Sequence, residues 1–381
     1  MRDRVLVTTG IYPPDVGGPA RSVPVLVATW TTLGCDAEVL CYADDPLAHE
    51  ADGVVRVARH QAKPIRFLKT VSAIFRSGRR CRAVFANGLH LEAYFGALLC
   101  RRPLVLKIVG DEAWERAQNR RWTSLTLDAY QTAPKSLRDA TLDWLRAFPV
   151  RRATAVVVPS VYLAGIVRGW GVAKERVNVV PNAVPSAARF TNRTDGASRP
   201  IDVLTVCRLV PWKGVSGLLH ALRRLSGVSA QIVGDGPELQ QLQQLAESLG
   251  ISDRVVFRGR LNRTETEHVM ANAKVLVLNS SYEGLPHVVL EAMAAETAVV
   301  AADAGGTAEI VKHEETGLLV PYADDAALAK AIERLLANPA LAESLAISAR
   351  ETLGRFHDVT SMARHTLDVV RRSDGAPRLA W

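Results

Sequence analysis

Nothing in the 381 residues offers a membrane span: no uncharged apolar run reaches the roughly 18 residues that crossing a bilayer needs. The longest candidate, Leu285 to Ala302, is interrupted by His287, Glu291 and Glu296. The N-terminus runs straight into Arg4-Val5-Leu6-Val7, without the apolar stretch expected of a secretory signal. Its five cysteines, Cys35, Cys41, Cys81, Cys100 and Cys207, are odd in number and form no CxxC or metal-ligand spacing. That predicts reduced, mostly buried thiols in a cytoplasmic protein, peripheral to a membrane at most. No Asp-x-Asp triplet is present to hold a divalent metal, so no metal or cofactor is expected. A GxGxxG turn is missing too, which argues against a nicotinamide-dependent oxidoreductase. Arginines are scattered rather than interleaved with aromatics, which argues against a nucleic-acid partner.

What is present is ordinary globular composition, with 48% hydrophobic and 23% charged residues. The net charge of +8 suits anionic partners: a nucleotide diphosphate or an anionic membrane surface. At this length two domains are expected. Short β-branched runs alternate with helix-period segments throughout. In the first half they are Val5–Thr9, Ala37–Cys41, Val54–Ala58, Ala83–Ala86, Leu104–Val109, Ala155–Pro159 and Val177–Val180. In the second they are Asp202–Cys207, Ala230–Val233, Val255–Arg258, Val275–Asn279 and Ala298–Ala301. Strands apolar on both faces and separated by helices predict two Rossmann-like α/β domains with parallel sheets. The expected boundaries are 1–184, a polar linker over 185–200, a second domain over 201–357 and a terminal helix over 358–373. Asp111 to Arg151 is a forty-residue departure from the short-loop pattern, rich in Trp and Leu at helical spacing. It predicts two or three amphipathic helices, either a plain layer over the sheet or an elaboration touching acceptor or membrane.

The strongest chemical signal is Ser280-Ser281-Tyr282-Glu283-Gly284-Leu285-Pro286-His287-Val288-Val289-Leu290-Glu291. It leaves a strand and opens a helix, so Gly284, Leu285 and Pro286 lead into free N–H groups at a positive dipole end. Carboxylates beside such an anion site can accept hydrogen bonds from sugar hydroxyls; the plain alternatives are a cap for Glu283 and a solvated face for Glu291. Arg208-Leu209-Val210-Pro211-Trp212-Lys213-Gly214 also follows a strand. Arg208 and Lys213 can neutralise a diphosphate there, unless they are simply surface cations. Gly234-Asp235-Gly236-Pro237 and Gly305-Gly306-Thr307-Ala308-Glu309 are two further strand-to-helix turns.

In order and spacing, these four segments resemble glycosyltransferase family 4 of the GT-B fold, most specifically over residues 200–325. The resemblance implies an α/β chain whose two domains face a central cleft, with an acceptor side in the first and a donor side in the second. It also implies a retaining, nucleotide-sugar-dependent hexosyltransferase in cell-surface polysaccharide or glycolipid synthesis. Arg208 and Lys213 would then bind the donor diphosphate, Glu283 the donor sugar, Gly284 and Leu285 the sugar–phosphate, and Glu291 the ribose. Gly17 and Gly18, in the turn after the first strand, would approach the donor phosphate. His90 is the candidate for the family's histidine near the reacting sugar, with Asn87 as its alternative. Asp111, where relatives carry a His-Gly pair, is either a sugar or acceptor contact or a helix cap. The acceptor would be a saccharide or a lipid-linked saccharide. A GT-B nucleotide-sugar epimerase, or another non-transferase acting on sugar nucleotides, is the alternative function.

Overall fold

The computed structural model describes residues 3–15, 17–45, 53–184 and 199–374. Of the expected linker over 185–200, only Arg199 and Pro200 fall within them. The chain runs β1 (Arg4–Thr9), α1 (Gly18–Thr32), β2 (Asp36–Ala43), β3 (Val54–Ala58), α2 (Lys63–Gly78), β4 (Ala83–Asn87), α3 (His90–Cys100) and β5 (Leu104–Lys107). Three helices come next, α4 (Glu112–Asn119), α5 (Leu127–Thr132) and α6 (Leu137–Arg152), then β6 (Ala155–Val158), α7 (Val161–Gly169) and β7 (Val177–Val179). The second half begins with β8 (Ile201–Val206), α8 (Val215–Arg223), β9 (Ala230–Val233), α9 (Leu239–Ser248), β10 (Val255–Gly259), α10 (Arg263–Ala271) and β11 (Ala273–Leu278). The last elements are α11 (His287–Ala294), β12 (Ala298–Ala302), α12 (Thr307–Ile310), β13 (Leu318–Val320), α13 (Asp325–Ala337), α14 (Pro339–Phe356) and α15 (Val359–Ser373).

Two compact units result. The first comprises Met1–Ala113, Pro134–Pro181 and Val359–Trp381, the second Trp114–Ala133 and Asn182–Asp358. Unit 1 holds a seven-stranded sheet in the order β3-β2-β1-β4-β5-β6-β7, every pair parallel. On one face Leu6, Leu40, Val84, Leu104, Leu106 and Val156 pack against Ile74 of α2, Ala97 of α3 and Val150 of α6. α1 and α15 pack together in the same unit, where the Trp30 Nε1–H donates to the Ala363 carbonyl at 2.8 Å. The Trp30 ring also meets Phe85 edge-on, with centroids 5.5 Å apart.

Unit 2 holds a six-stranded parallel sheet, β10-β9-β8-β11-β12-β13, with an apolar cluster on each face. Its edge strand β13, three residues between Gly317 and Pro321, lies outside the sequence expectation. Residues 111–151 form three helices, as the aromatic spacing suggests. The portion 114–133, which sequence order groups with the first domain, clusters with unit 2 instead.

Strand register aligns the polar residues at the C-terminal edge of the unit 1 sheet. Thr9 pairs with Asn87, Ala86 with Leu106, and Lys107 with Val157. One residue beyond the Ala86–Leu106 pair, Asn87 and Lys107 are neighbours, so Thr9, Asn87, Lys107 and Val157 form one row on one face.

Trp30 fixes α15 onto α1 by both ring and hydrogen bond. Trp30→Ala is therefore expected to lower unfolding stability by about 3–5 kcal/mol, the range for deleting a buried aromatic. Urea denaturation followed by circular dichroism checks it; a loss under about 1 kcal/mol would contradict this packing.

Candidate active site

Three strand-to-helix turns assemble one cluster on the C-terminal edge of the unit 2 sheet. After β8 the backbone tightens into a single 3-10 turn, Pro211–Lys213, and enters α8 through Gly214 at φ 61°. A Cβ at Gly214 would collide with the Asn279 carbonyl oxygen, and the Asn279 amide donates to the Gly214 carbonyl at 3.0 Å. Only glycine allows that left-handed, close approach. The turn after β11 is tied to it, since the Ser281 N–H donates to the Trp212 carbonyl at 2.8 Å. These two clamps bring the Lys213 ammonium 2.5 Å from Glu283 Oε1, although the residues are 70 apart in sequence. A third turn closes over them: the Gly306 N–H donates to the Glu283 carbonyl at 2.8 Å, and Gly305 leaves no room there for a side chain.

Burial works against the charge on Lys213, but the carboxylate of Glu283 outweighs it, and the ammonium is held above the usual lysine range. Lys213 therefore stays charged throughout the physiological range. Arg208 lies near the end of the same strand and is exposed, with no ion pair or side-chain hydrogen bond among the described residues. Gly284 and Leu285 are buried, and the Leu285 carbonyl accepts from the Asn182 amide at 2.9 Å. α11 then starts at His287 with Pro286 as its N-cap, and Pro286 provides no side-chain cap. Glu283 does not cap this helix. Glu291 is half-buried inside it. The result is one cationic, donor-rich edge that can take a diphosphate, with a carboxylate oriented beside it.

The residue that sequence reading missed here is Trp114. It is fully buried, with its ring 5.3 Å from Trp212 and 5.4 Å from Tyr282, the residues directly before Lys213 and Glu283. Its indole N–H donates to the Leu125 carbonyl at 2.9 Å. Glu115, next in sequence, adds its charge to the surroundings of Lys213. The aromatic spacing of the segment is visible in the sequence, but its partners Trp212 and Tyr282 lie far downstream in the chain.

The candidates in unit 1 lie on the edge of the other sheet. Gly17 is the N-cap of α1, with Gly18 and Pro19 in its first turn. His90 opens α3 behind Leu89, which is left-handed at φ 58°. The His90 ring is committed within the protein: Nε2 is 3.2 Å from the Lys107 carbonyl and Nδ1 is 3.6 Å from Glu112. Asp111 is fully buried, caps α4 by accepting from the Ala113 N–H at 3.0 Å, and pairs with Arg146. The cap, one of its two expected roles, is thus present. Asn87 is 8% exposed. Lys107, which no motif singled out, is 9% exposed, and burial alone pulls its ammonium down to about 8.

Known families match the two halves of the chain separately. Residues 17–183 match the model "Glycosyl transferase 4-like domain" and residues 189–352 "Glycosyl transferases group 1". The lipopolysaccharide core biosynthesis glycosyltransferase LpsD of Rhizobium meliloti is 36% identical over 193 residues, 49% of this chain and 53% of LpsD. The chain thus spans about half the length of curated relatives of this kind. Alpha-maltose-1-phosphate synthase of Mycolicibacterium smegmatis is 29% identical over 97% of this chain and 99% of its own. Anabaena HepE, solved with UDP-glucose, superposes with a TM-score of 0.79 at 21% identity, covering 97% of this chain and 99% of HepE, which shows the shared fold.

Lys107 generates a pH prediction. Its folded value lies below the ordinary 10.5, so between about pH 8 and 10.5 the unfolded chain holds the extra proton and stability rises with pH. Below pH 8 both states are charged and the burial penalty is present in full. Relative to Lys107→Met, the wild type should gain up to roughly 3 kcal/mol across that window. Chemical denaturation at stepped pH measures it, and a flat difference would refute it. Taken together, the two matching models, the two parallel sheets and the turn cluster of unit 2 establish that the chain belongs to the family 4-type GT-B glycosyltransferases.

Proposed function

We propose that the chain is a retaining hexosyltransferase that moves a sugar from a nucleotide diphosphate sugar to a saccharide or lipid-linked saccharide. The supporting observation is the Lys213–Glu283 ion pair beside a helix start without a side-chain cap and Arg208, which has no ion pair among the described residues. In this reading Arg208, Lys213 and the α11 N–H groups take the diphosphate, and Glu283 accepts from donor hydroxyls. Glu291 takes the ribose, the Gly284–Leu285 backbone lines the sugar–phosphate, and the Gly17–Gly18 turn approaches the phosphates. His90 is a less direct participant than its motif position implies, because both ring nitrogens already face protein groups. The relatives named for lipopolysaccharide core and maltose phosphate synthesis support a saccharide-building role.

The chemistry is a front-face displacement. The bond from the anomeric carbon to the diphosphate oxygen breaks while the acceptor oxygen forms its bond on the same face, so configuration is retained. The acceptor's proton passes to the departing phosphate oxygen, and the two electrons of the broken bond stay with the diphosphate. Fixed cations stabilise that growing charge, without a metal or cofactor. Lys213→Ala should cost roughly 10²-fold or more in rate, and Glu283→Ala should also slow transfer. Transfer of radiolabelled sugar, with and without chelator, provides the measurement. Wild-type rates in both variants, loss of activity on chelation, or epimerised sugar without transfer would each overturn the reading.

Peripheral contact with an anionic membrane belongs to the same proposal, through unit 1. On α6, Leu137 is 91% and Trp144 56% exposed. Trp144 contacts Phe148 at 5.1 Å, Phe148 stacks on Phe95, and the Arg152 guanidinium lies 4.1 Å over the Phe148 ring. Apolar rings beside arginine suit the headgroup boundary of an anionic bilayer. Leu137→Ser with Trp144→Ser should abolish co-sedimentation with phosphatidylglycerol vesicles; undiminished binding would sink this part.

A further inference from the structure

Along the edge row of unit 1, polar side chains replace apolar ones. Leu104 and Leu106 of β5 belong to the apolar cluster on one sheet face, so alternation places Val105 and Lys107 on the other. Thr9, fully buried, satisfies itself by donating to the Ile11 carbonyl at 3.0 Å. Its row neighbours do not. Among the described residues, neither the Asn87 amide nor the Lys107 ammonium has a hydrogen bond or ion pair; both residues are more than nine-tenths buried, but neither polar tip is fully enclosed. Nearby buried charge is treated otherwise: Asp111 is paired with Arg146. In unit 2, Lys213 is paired with Glu283. A largely buried cation without a counter-charge is costly, and an anionic ligand reaching its open tip would offset that cost.

We propose that Asn87 and Lys107 form an anion-binding site on the edge of the unit 1 sheet, and that the acceptor carries the anionic group, a phosphate or carboxylate. The site stands on the geometry of unit 1; that its ligand is an acceptor rests on the proposed glycosyltransferase activity. Lysine supplies the charge and three donors, and the asparagine amide supplies a directional donor alongside. The turn carrying Asn87 is rigid as well. Gly88 at φ 128° has its Cα hydrogen where a Cβ would press on the Gly10 nitrogen, and the Thr8 hydroxyl donates to the Gly88 carbonyl at 3.1 Å. His90, held on the Lys107 carbonyl, ties the two turns together. Neutral saccharides make no use of a buried ammonium, and a sugar phosphate or uronate does.

The test has two arms on the full chain, each with Lys107→Met, which keeps the apolar stem, and Lys107→Arg, which keeps the charge. Circular dichroism first confirms that both variants fold. In the first arm, inorganic phosphate should raise the melting temperature of the wild type and of Lys107→Arg, and leave that of Lys107→Met unmoved. Equal shifts in all three, or none in the wild type, overturn the site whether or not sugar transfer is detected. In the second arm a neutral hexoside, its phosphate and its uronate compete as acceptors. The wild type should favour one anionic form in kcat/KM by roughly ten- to hundredfold, the span of one charged hydrogen bond. Whichever form wins identifies the anion. Lys107→Met should erase the preference through KM, and Lys107→Arg should restore part of it. A neutral acceptor preferred by the wild type, or a preference that survives in Lys107→Met, overturns the acceptor assignment while the phosphate arm still judges the site.

Discussion

An ion pair between Lys213 and Glu283 organises the edge of the second sheet, and the cost of burying it explains the architecture around it. Removing two charges from water is repaid only when geometry is held and the remaining valences are met. Here three turns do the holding. Gly214 is pressed onto the Asn279 carbonyl, Ser281 is bonded to the Trp212 carbonyl, and Gly306 donates to the Glu283 carbonyl. Trp114 packs against the two aromatic residues that precede the pair. A lysine kept charged while largely buried, beside a helix without a side-chain cap and an arginine with no ion pair among the described residues, is an arrangement prepared for incoming negative charge. It also orients a carboxylate for hydroxyl groups, so one pair serves both halves of a sugar diphosphate.

The first unit handles charge differently. Asp111 pairs with Arg146 and caps α4, and His90 is committed to a carbonyl and a carboxylate. Against that background Lys107 and Asn87 stand out, because neither side chain has a partner among the described residues. Burial without compensation lowers the affinity of Lys107 for its proton, whereas compensation at Lys213 raises it. Two lysines on the edges of two similar sheets thus have opposite shifts, and the difference comes chiefly from a single carboxylate.

The fold is largely legible in the sequence because parallel strands covered on both faces are continuous apolar runs, and nearly every such run is a strand. β13, the three-residue edge strand Leu318–Val320, is the exception. The donor-side motif is legible because its chemistry lies in local turns: Gly214, Glu283 and Gly305 each announce themselves within a few residues. His90 and Asp111 can be named but not assigned, since a histidine or aspartate at a strand end reads alike whether it meets substrate or protein.

By itself, the sequence determined the fold class, the alternation of strand and helix, and the glycine turns of the second unit, all set by short-range periodicity and backbone sterics. Tertiary structure alone decided that Lys213 meets Glu283, that Trp114 joins the second unit, and that Asp111 is spent on Arg146. It alone showed that Lys107 lies largely buried in the same row as Asn87, with no partner among the described residues. Pairing and burial depend on residues tens to hundreds of positions away, and no local pattern encodes which of two identical side chains will find a counter-charge.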